Sequence, residues 1–456
     1  MDMNVIIVGD GKVGAALAGQ LSSEGHDVTI IDSNPQVLNA SSEQLDVMAV
    51  TGNGASMVTL REAGAEKADV LIAATSRDEL NLLTCLTGKK LGTAHAIARV
   101  RNPEYSDQLV AMREELGLSL TVNPEQAAAE EAYQLLQFPS FLKREAFAQG
   151  KVEIVAVPVG AGSKLAGIPL FKLYEIAGVN VLVCAVERED GVHIPSGAFT
   201  LREGDTIYVT AGIQDLAKLV KNLGLNDHRV RSLLIVGGSR IAFYLARRCI
   251  DSGISVKIIE RDHTRCVELA EAMPKATVIE ADGARQDILL AEGLKDYDAV
   301  ITLTGMDEEN VVLSMFASHM GVPKVITKIN RIEYADVFRK MGIGSIISPK
   351  GLCCTHIARY VRAMSSASGI DSVLTLHSIV DDQAEALEFL VGPEARHQGE
   401  KLMDIPLKEE ILIAGISHEG RTSIPRGDSS FVAGDTIVVV TAGGRTLGDL
   451  DDIFDD

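Results

Sequence analysis

The chain has 456 residues, of which 46% are apolar and 23% charged, a balance that describes a globular protein able to bury several cores. Its formal net charge of −20 argues against nucleic acid and anionic lipid headgroups as direct partners, because phosphate binding needs clustered Lys and Arg. No apolar run reaches the roughly 18 residues of a membrane span, the start at Met1-Asp2 leaves no room for a signal peptide, and the six cysteines show no CxxC spacing. We therefore expect a cytoplasmic protein with buried thiols, no zinc and no disulfide.

The first element is the apolar run Val5 to Val8, which suits a buried parallel strand, followed by Gly9, Gly11 and Gly14 in a tight turn opening a helix from Lys12 to about Ser23. Gly9 would permit the turn, Gly11 would let backbone N–H groups approach a diphosphate, and Gly14 would let helix and strand pack closely. Asp27 to Asp32 reads as the second strand. Asp32 then lies about 20 residues after the glycines, where a carboxylate can accept both ribose hydroxyls. Gly52 and Asn53 end the third strand beside the place for an adenine, and Thr75 and Ser76 follow the fourth, Asp69 to Ala74. The fifth is read as Ile97 to Arg101. Either Arg99 or Arg101 could reach a phosphate, and alternation puts both on one face. A helix from Gln126 to Leu136 follows Asn123-Pro124-Glu125 and is either a crossover between lobes or an interdomain linker.

The same unit returns at Leu233-Leu234-Ile235-Val236-Gly237. Gly9 and Gly237 stand 228 positions apart, as do Asp32 and Glu260, while Asn53 faces Asp282, Asn81 faces Asn310 and Arg99 faces Lys328 at 229. Here Ser239 and Ala242 replace two fingerprint glycines, so a mononucleotide with phosphates on Arg240 and ribose on Glu260 fits better than a dinucleotide; an empty structural domain is the alternative. After each unit comes a turn-rich block of short β-branched strands carrying Ile-Pro and Gly-Asp-Thr-Ile repeats. The fold class expected is α/β, with two tandem Rossmann-like doubly wound domains, each followed by a small α+β module. The boundaries expected are 1–136, 137–226, 227–365 and 366–456, the helix from Gly351 to Met364 taking the crossover place in the second half. The acidic end, residues 449–456, is expected to be solvated and frayed rather than an interaction tail.

Catalytic groups are not evident. His193 and His418 sit in turns with no evident local partner, and no GxSxG, HExxH or GxxxxGK[ST] occurs. The VIIVGDGKVG start with Asp32, the TGNGA, AATSRDELN and ARVRNPEY segments and the duplicated four-part order resemble the TrkA family, peripheral regulatory subunits of bacterial Trk potassium uptake with tandem regulator-of-potassium-conductance units. The resemblance implies a nucleotide-sensing gating ring that controls a potassium-translocating membrane subunit, without enzyme activity. It also implies a homo-oligomer of four chains, peripheral on the inner face of the plasma membrane and without membrane insertion. NAD or NADH and ATP or ADP are its implied ligands, and Gly9, Gly11, Val13, Gly14, Asp32, Asn53, Thr75, Ser76 and Arg99 its implied binding residues. With the neighbouring loop positions the candidate set is Gly9, Asp10, Gly11, Lys12, Val13, Gly14, Asp32, Gly52, Asn53, Thr75, Ser76, Arg99 and Arg101, and in the second half Gly237, Ser239, Arg240, Ile241 and Glu260. Two alternatives stay open: an NAD-dependent oxidoreductase, and a nucleotide sensor attached to another ion transporter.

Overall fold

A computed structural model describes residues 3–147, 152–225, 229–331, 337–338, 341, 343–367, 373–380, 383–418, 421–442 and 447–455. The first half builds six parallel strands, β1 (Asn4–Val8), β2 (Asp27–Asp32), β3 (Met48–Thr51), β4 (Val70–Ala73), β5 (His95–Arg99) and β6 (Leu120–Val122), in the order β3-β2-β1-β4-β5-β6. Val5 pairs with Val28 on one side and Val70 on the other, so the strand order reverses between β1 and β4. That reversal leaves a crevice beyond the carboxyl ends of the strands. Val5 to Val8 are each at most 2% exposed, which explains a continuous apolar run where a half-solvated strand would alternate.

Strand β5 stops at Arg99, two residues short of the expectation. Asn102 caps the helix Pro103–Met112 through Glu104 N–H, and Asp78 takes the N–H groups of Arg101 and Asn102 at 2.8 Å. The chain has therefore left the sheet before Arg101, and strand alternation does not relate the two arginines.

Module one is an antiparallel sheet of β7 (Lys143–Phe147), β8 (Val152–Pro158), β9 (Leu182–Arg188), β10 (Gly191–His193) and β11 (Thr206–Ala211), ordered β10-β9-β11-β8-β7. The second half repeats both parts. Strands β12 (Ser232–Val236), β13 (Ser255–Glu260), β14 (Thr277–Glu280), β15 (Ala299–Thr302), β16 (Lys324–Lys328) and β17 (Ser345–Ile347) form the order β14-β13-β12-β15-β16-β17. Strands β18 (Val373–Val380), β19 (Ala384–Leu390), β20 (Ile411–His418), β21 (Arg421–Ser423) and β22 (Thr436–Ala442) form β18-β19-β22-β20-β21. The duplicated sequence is thus a duplicated topology, two parallel six-stranded sheets each followed by an antiparallel five-stranded one.

The chain folds into two compact units, Met1–Ala129 with Ser348–Ile370, and Glu130–Ile347 with Asp371–Asp456. In the first unit the helix Pro349–Ala367, which comes from the second half, lays Cys353, Cys354, Ile357, Ala358 and Val361 against Val13, Leu17, Ala18 and Leu21 of the Lys12–Ser23 helix. Arg362 Nε reaches Glu24 at 3.0 Å beside this seam. In the second unit Tyr133, from the end of the helix Pro124–Gln137, hydrogen-bonds Ser252 at 2.6 Å and lies beneath the Arg248 guanidinium. The two modules share one core, in which Ala156, Cys184 and Ala185 meet Ala386, Ala414, Val438 and Val440. Small side chains on both sheets allow that close facing.

The carboxy-terminal expectation is corrected. Leu450, Ile453 and Phe454 are at most 1% exposed, Asp449 and Asp452 close a capping box, and the Arg396 guanidinium stands 5.3 Å from the Phe454 ring centroid. The acidic residues are the solvent face of a short helical turn whose apolar face completes module two.

All six cysteines are buried free thiols, and burial pushes Cys85, Cys184 and Cys249 up to about 12. Lys324 is 4% exposed; its Nζ donates to Phe141 O at 2.6 Å and Ser345 Oγ at 2.8 Å, tying the segment before β7 to the second parallel sheet. Burial pulls its ammonium from 10.5 down to about 7. The unfolded chain therefore holds more protons than the folded one between those values, and this lysine makes stability rise with pH there. Replacing it by Met removes that slope, so the Tm of Lys324→Met relative to the unsubstituted protein falls as pH rises from about 7 toward 10.5. A pH-independent difference contradicts the assignment.

Candidate functional site

The crevice of the first half is built on three glycines with different duties. Gly9 has φ +101°, donates its N–H to Ile31 O at 2.8 Å, and leaves no room for a Cβ, which would lie 2.9 Å from Thr75 Cα. A Cβ on Gly14 would stand 1.8 Å from Gly9 O, so helix and turn touch only because it is absent. At Gly11 a Cβ would meet nothing within 4 Å. Gly11 is also the N-cap of the Lys12–Ser23 helix, and no side chain caps that end. The helix thus presents unclaimed N–H groups to an open crevice, the arrangement that binds anions. Lys12 is exposed, whereas the Val13 side chain is buried in the core.

Asp32 faces this turn from the end of β2. Its Oδ2 accepts Asp10 N–H and its Oδ1 accepts Asn34 N–H, both at 2.8 Å, which fixes the carboxylate at the rim with lone pairs to spare. Asp10 is 3% exposed. Burial pushes its carboxyl up, the Ser41 side chain beside it opposes this, and the neighbouring Asp32 adds to the upward shift.

Gly52 donates to Asp32 O at 2.9 Å, and Asn53 is exposed with Oδ1 accepting Ala55 N–H at 3.1 Å. On the other side, buried Asn81 clamps two strand ends, accepting Thr75 N–H at 2.9 Å and donating to Arg99 O at 2.8 Å. The Thr75 hydroxyl is also spent on Asn81, and Ser76 offers its carbonyl to Arg101.

The two arginines separate in the structure. Arg101 is held by Asp78 at 3.5 Å and Glu125 at 3.9 Å. Arg99 Nε is buried with no hydrogen-bond partner, and no carboxylate forms an ion pair with Arg99 among the described residues. Burial, with Arg101 nearby, lowers the Arg99 pKa. A guanidinium in that position gains from an incoming anion what it lacks from the protein.

The second half keeps the frame and alters the contents. Gly237 has φ +102° and donates to Ile259 O at 2.8 Å; Glu260 accepts Gly238 N–H at 2.6 Å and Arg261 and Asp262 N–H groups at 2.7 and 2.8 Å. Ser239 caps its own helix through Ala242 N–H at 3.4 Å, filling the role left open at Gly11. Lys328, in the place of Arg99, donates to Thr304 O at 2.6 Å. A cavity of about 370 Å³ runs from Gly237 and Ser239 past Glu260 to Asp282, lined also by Arg261 and Arg265. Arg240 is exposed and Ile241 buried, and neither lines it.

Arg265 escaped the sequence reading because it belongs to the helix after β13, where only a helical register, not the glycine turn, would have pointed to it. It reaches back so that Nε meets Gly238 O at 2.7 Å. Asp282 was visible as the counterpart of Asn53 but was not taken as a ligand group. One other expectation is corrected: His193 has a local partner, Asp190 at 3.0 Å. His418 has no partner within its own turn; buried Asp435, 17 residues on, meets it at 2.6 Å.

The TrkA-N domain model matches residues 5–124 and 233–349, and the TrkA-C domain model matches 154–224. The Trk system potassium uptake protein TrkA homolog of Archaeoglobus fulgidus is 31% identical over 437 residues, 96% of this chain and 97% of that protein. Among solved structures, the GsuK RCK domain aligns with a TM-score of 0.63 at 17% identity, covering 97% of this chain and 93% of that one. The GsuK channel bound to NAD aligns with a TM-score of 0.62 at 17% identity, covering 97% and 77%. The chain belongs to the TrkA family.

The glycine geometry makes a paired prediction. Gly14→Ala forces a Cβ onto the Gly9 carbonyl and costs about 3 kcal/mol of stability, whereas Gly11→Ala changes stability by no more than about 1 kcal/mol. Denaturant unfolding of both variants checks this; equal losses contradict the division of roles.

Proposed function

We propose that this chain is the nucleotide-sensing regulatory subunit of a Trk-type potassium uptake system, acting as a peripheral gating ring on a potassium-translocating membrane protein. The observation that carries the reading is the first crevice: an uncapped helix N-terminus under Gly11, with the Asp32 carboxylate holding its turn and Arg99, whose Nε has no hydrogen-bond partner, at the end of β5. NAD or NADH suits it, with the diphosphate on the helix end, a ribose on Asp32 and Arg99 nearby to balance charge. In the second half Ser239 narrows the same place, while Glu260 and the arginines suit a mononucleotide, ATP or ADP.

Family membership supports the potassium context. Among the described residues no helix is long and apolar enough to cross a membrane, so pore and sensor would be separate chains meeting on the cytoplasmic face. Assembly of four chains has support in a repeated surface. Leu83 and Leu86 on the helix Asp78–Leu91, and Val312 and Met315 at the matching positions of the helix Asp307–His319, are all exposed by 36% or more. Signalling requires that nucleotide bind two ring shapes unequally, and a difference of about 1–3 kcal/mol would be an ordinary coupling energy.

Calorimetry of the full chain with NADH is expected to give binding without turnover. Asp32→Ala and Arg99→Gln are each expected to weaken it about tenfold or more, in line with the loss of a charge-assisted contact. Unchanged affinity in both variants, or steady NADH oxidation with small carbonyl compounds, overturns the reading. Light scattering is expected to give four chains of 48.7 kDa; a monomer contradicts the ring.

A further inference from the structure

The two halves end their third strand in the same turn with opposite hydrogen-bonding sign. Asn53 Oδ1 accepts Ala55 N–H at 3.1 Å, and Asp282 Oδ1 accepts Ala284 N–H at 3.0 Å. A backbone N–H must face an oxygen, which fixes the orientation of the amide. The outward atom of Asn53 is therefore Nδ2, a donor, whereas that of Asp282 is Oδ2, an acceptor. Neither outward atom has a hydrogen-bond partner among the described residues, and both residues are exposed. Each turn is pinned by the glycine that follows, since a Cβ on Gly54 would stand 2.0 Å from Val8 Cγ1 and one on Gly283 2.5 Å from Val236 Cγ1.

Position along the sheet says what these atoms would meet. The strands run β14-β13-β12, and their carboxyl ends deliver Asp282, Glu260 and the glycine turn in that order along one cavity. Neighbouring strands lie about 4.8 Å apart, so Asp282 is about 10 Å from the turn. A nucleotide lying with its phosphates at the turn and its ribose on Glu260 would bring its base to Asp282. The neutral base, rather than the phosphate chain, would face this carboxylate.

We propose that Asp282 selects the base in the second cavity by accepting a hydrogen bond from a purine amino group, while Asn53 in the first crevice donates to a base acceptor. This rests on the reading of the second cavity as a nucleotide site. The two sites thereby differ in what they reject: a purine that lacks its amino group leaves Oδ2 of Asp282 unsatisfied but costs Asn53 nothing.

The test uses the full chain carrying Asp32→Ala and Arg99→Gln together, which weakens the first crevice twice over, titrated with ADP and with purine riboside 5′-diphosphate, the analogue without the amino group. ADP is expected to bind about tenfold or more tighter, the effect of a hydrogen bond to a charged acceptor. Adding Asp282→Asn preserves the Oδ1 acceptor for Ala284 N–H, as Asn53 does in the first half, and is expected to bring the two ligands to within about threefold. Equal binding of the two ligands by the chain that retains Asp282 overturns the base assignment while leaving the site. Absence of ADP binding at millimolar concentration overturns the nucleotide reading of the second cavity and this assignment with it.

Discussion

Both crevices depend on a carboxylate that holds the backbone of its own loop. Asp32 and Glu260 end the second strand of each parallel sheet and accept the N–H of the residue after the first glycine, at 2.8 and 2.6 Å. Each also accepts at the start of the next helix, Asp32 from Asn34 and Glu260 from Arg261 and Asp262. Paired with Gly9 and Gly237 in left-handed conformations, this contact sets the distance between the helix end and the carboxylate before any ligand arrives. Such preorganisation lowers the ordering cost of binding. The acid serves the loop, and in the proposed function it serves the ligand as well, so the two roles are separable only by variants that keep the loop intact.

From that shared frame the halves diverge by few substitutions with clear physical consequences. Ser239 caps the helix that Gly11 leaves open, and Lys328 is tied to a carbonyl where Arg99 stands unpaired. Asp282 replaces a donor with an acceptor. A duplicated sensor can in this way take two inputs without a second fold. The Pro349–Ala367 helix of the second half forms part of the first unit and packs directly on the Lys12–Ser23 helix whose end faces the crevice.

The doubly wound sheets were legible because several signals agreed: buried apolar runs, glycines whose spacing only a strand-turn-helix satisfies, and an acid at the right distance, all repeated 228 residues later. Elements failed where one signal hid another. The run of acids at the carboxy terminus masked Leu450, Ile453 and Phe454, whose spacing is that of a short helical turn. Strand β5 was placed two residues too far along because Ile97 to Arg101 looks extended, while it runs from His95 to Arg99 and the decision to end it rests with Asp78, more than twenty residues earlier. Arg99 and Arg101 were indistinguishable by pattern, since which one finds a carboxylate depends on tertiary placement. Arg240 drew notice as a charge beside the glycine turn, yet the cavity is lined by Arg265 from the following helix.

In the proposed function one chain carries two nucleotide sites, built on Asp32 and Glu260. Native mass spectrometry of the assembled protein with saturating NADH and ADP counts them directly. Two nucleotides per chain are predicted, with NADH lost on Asp32→Ala and ADP lost on Glu260→Ala. One nucleotide per chain that is indifferent to Glu260→Ala would contradict the account and leave the second half as a scaffold.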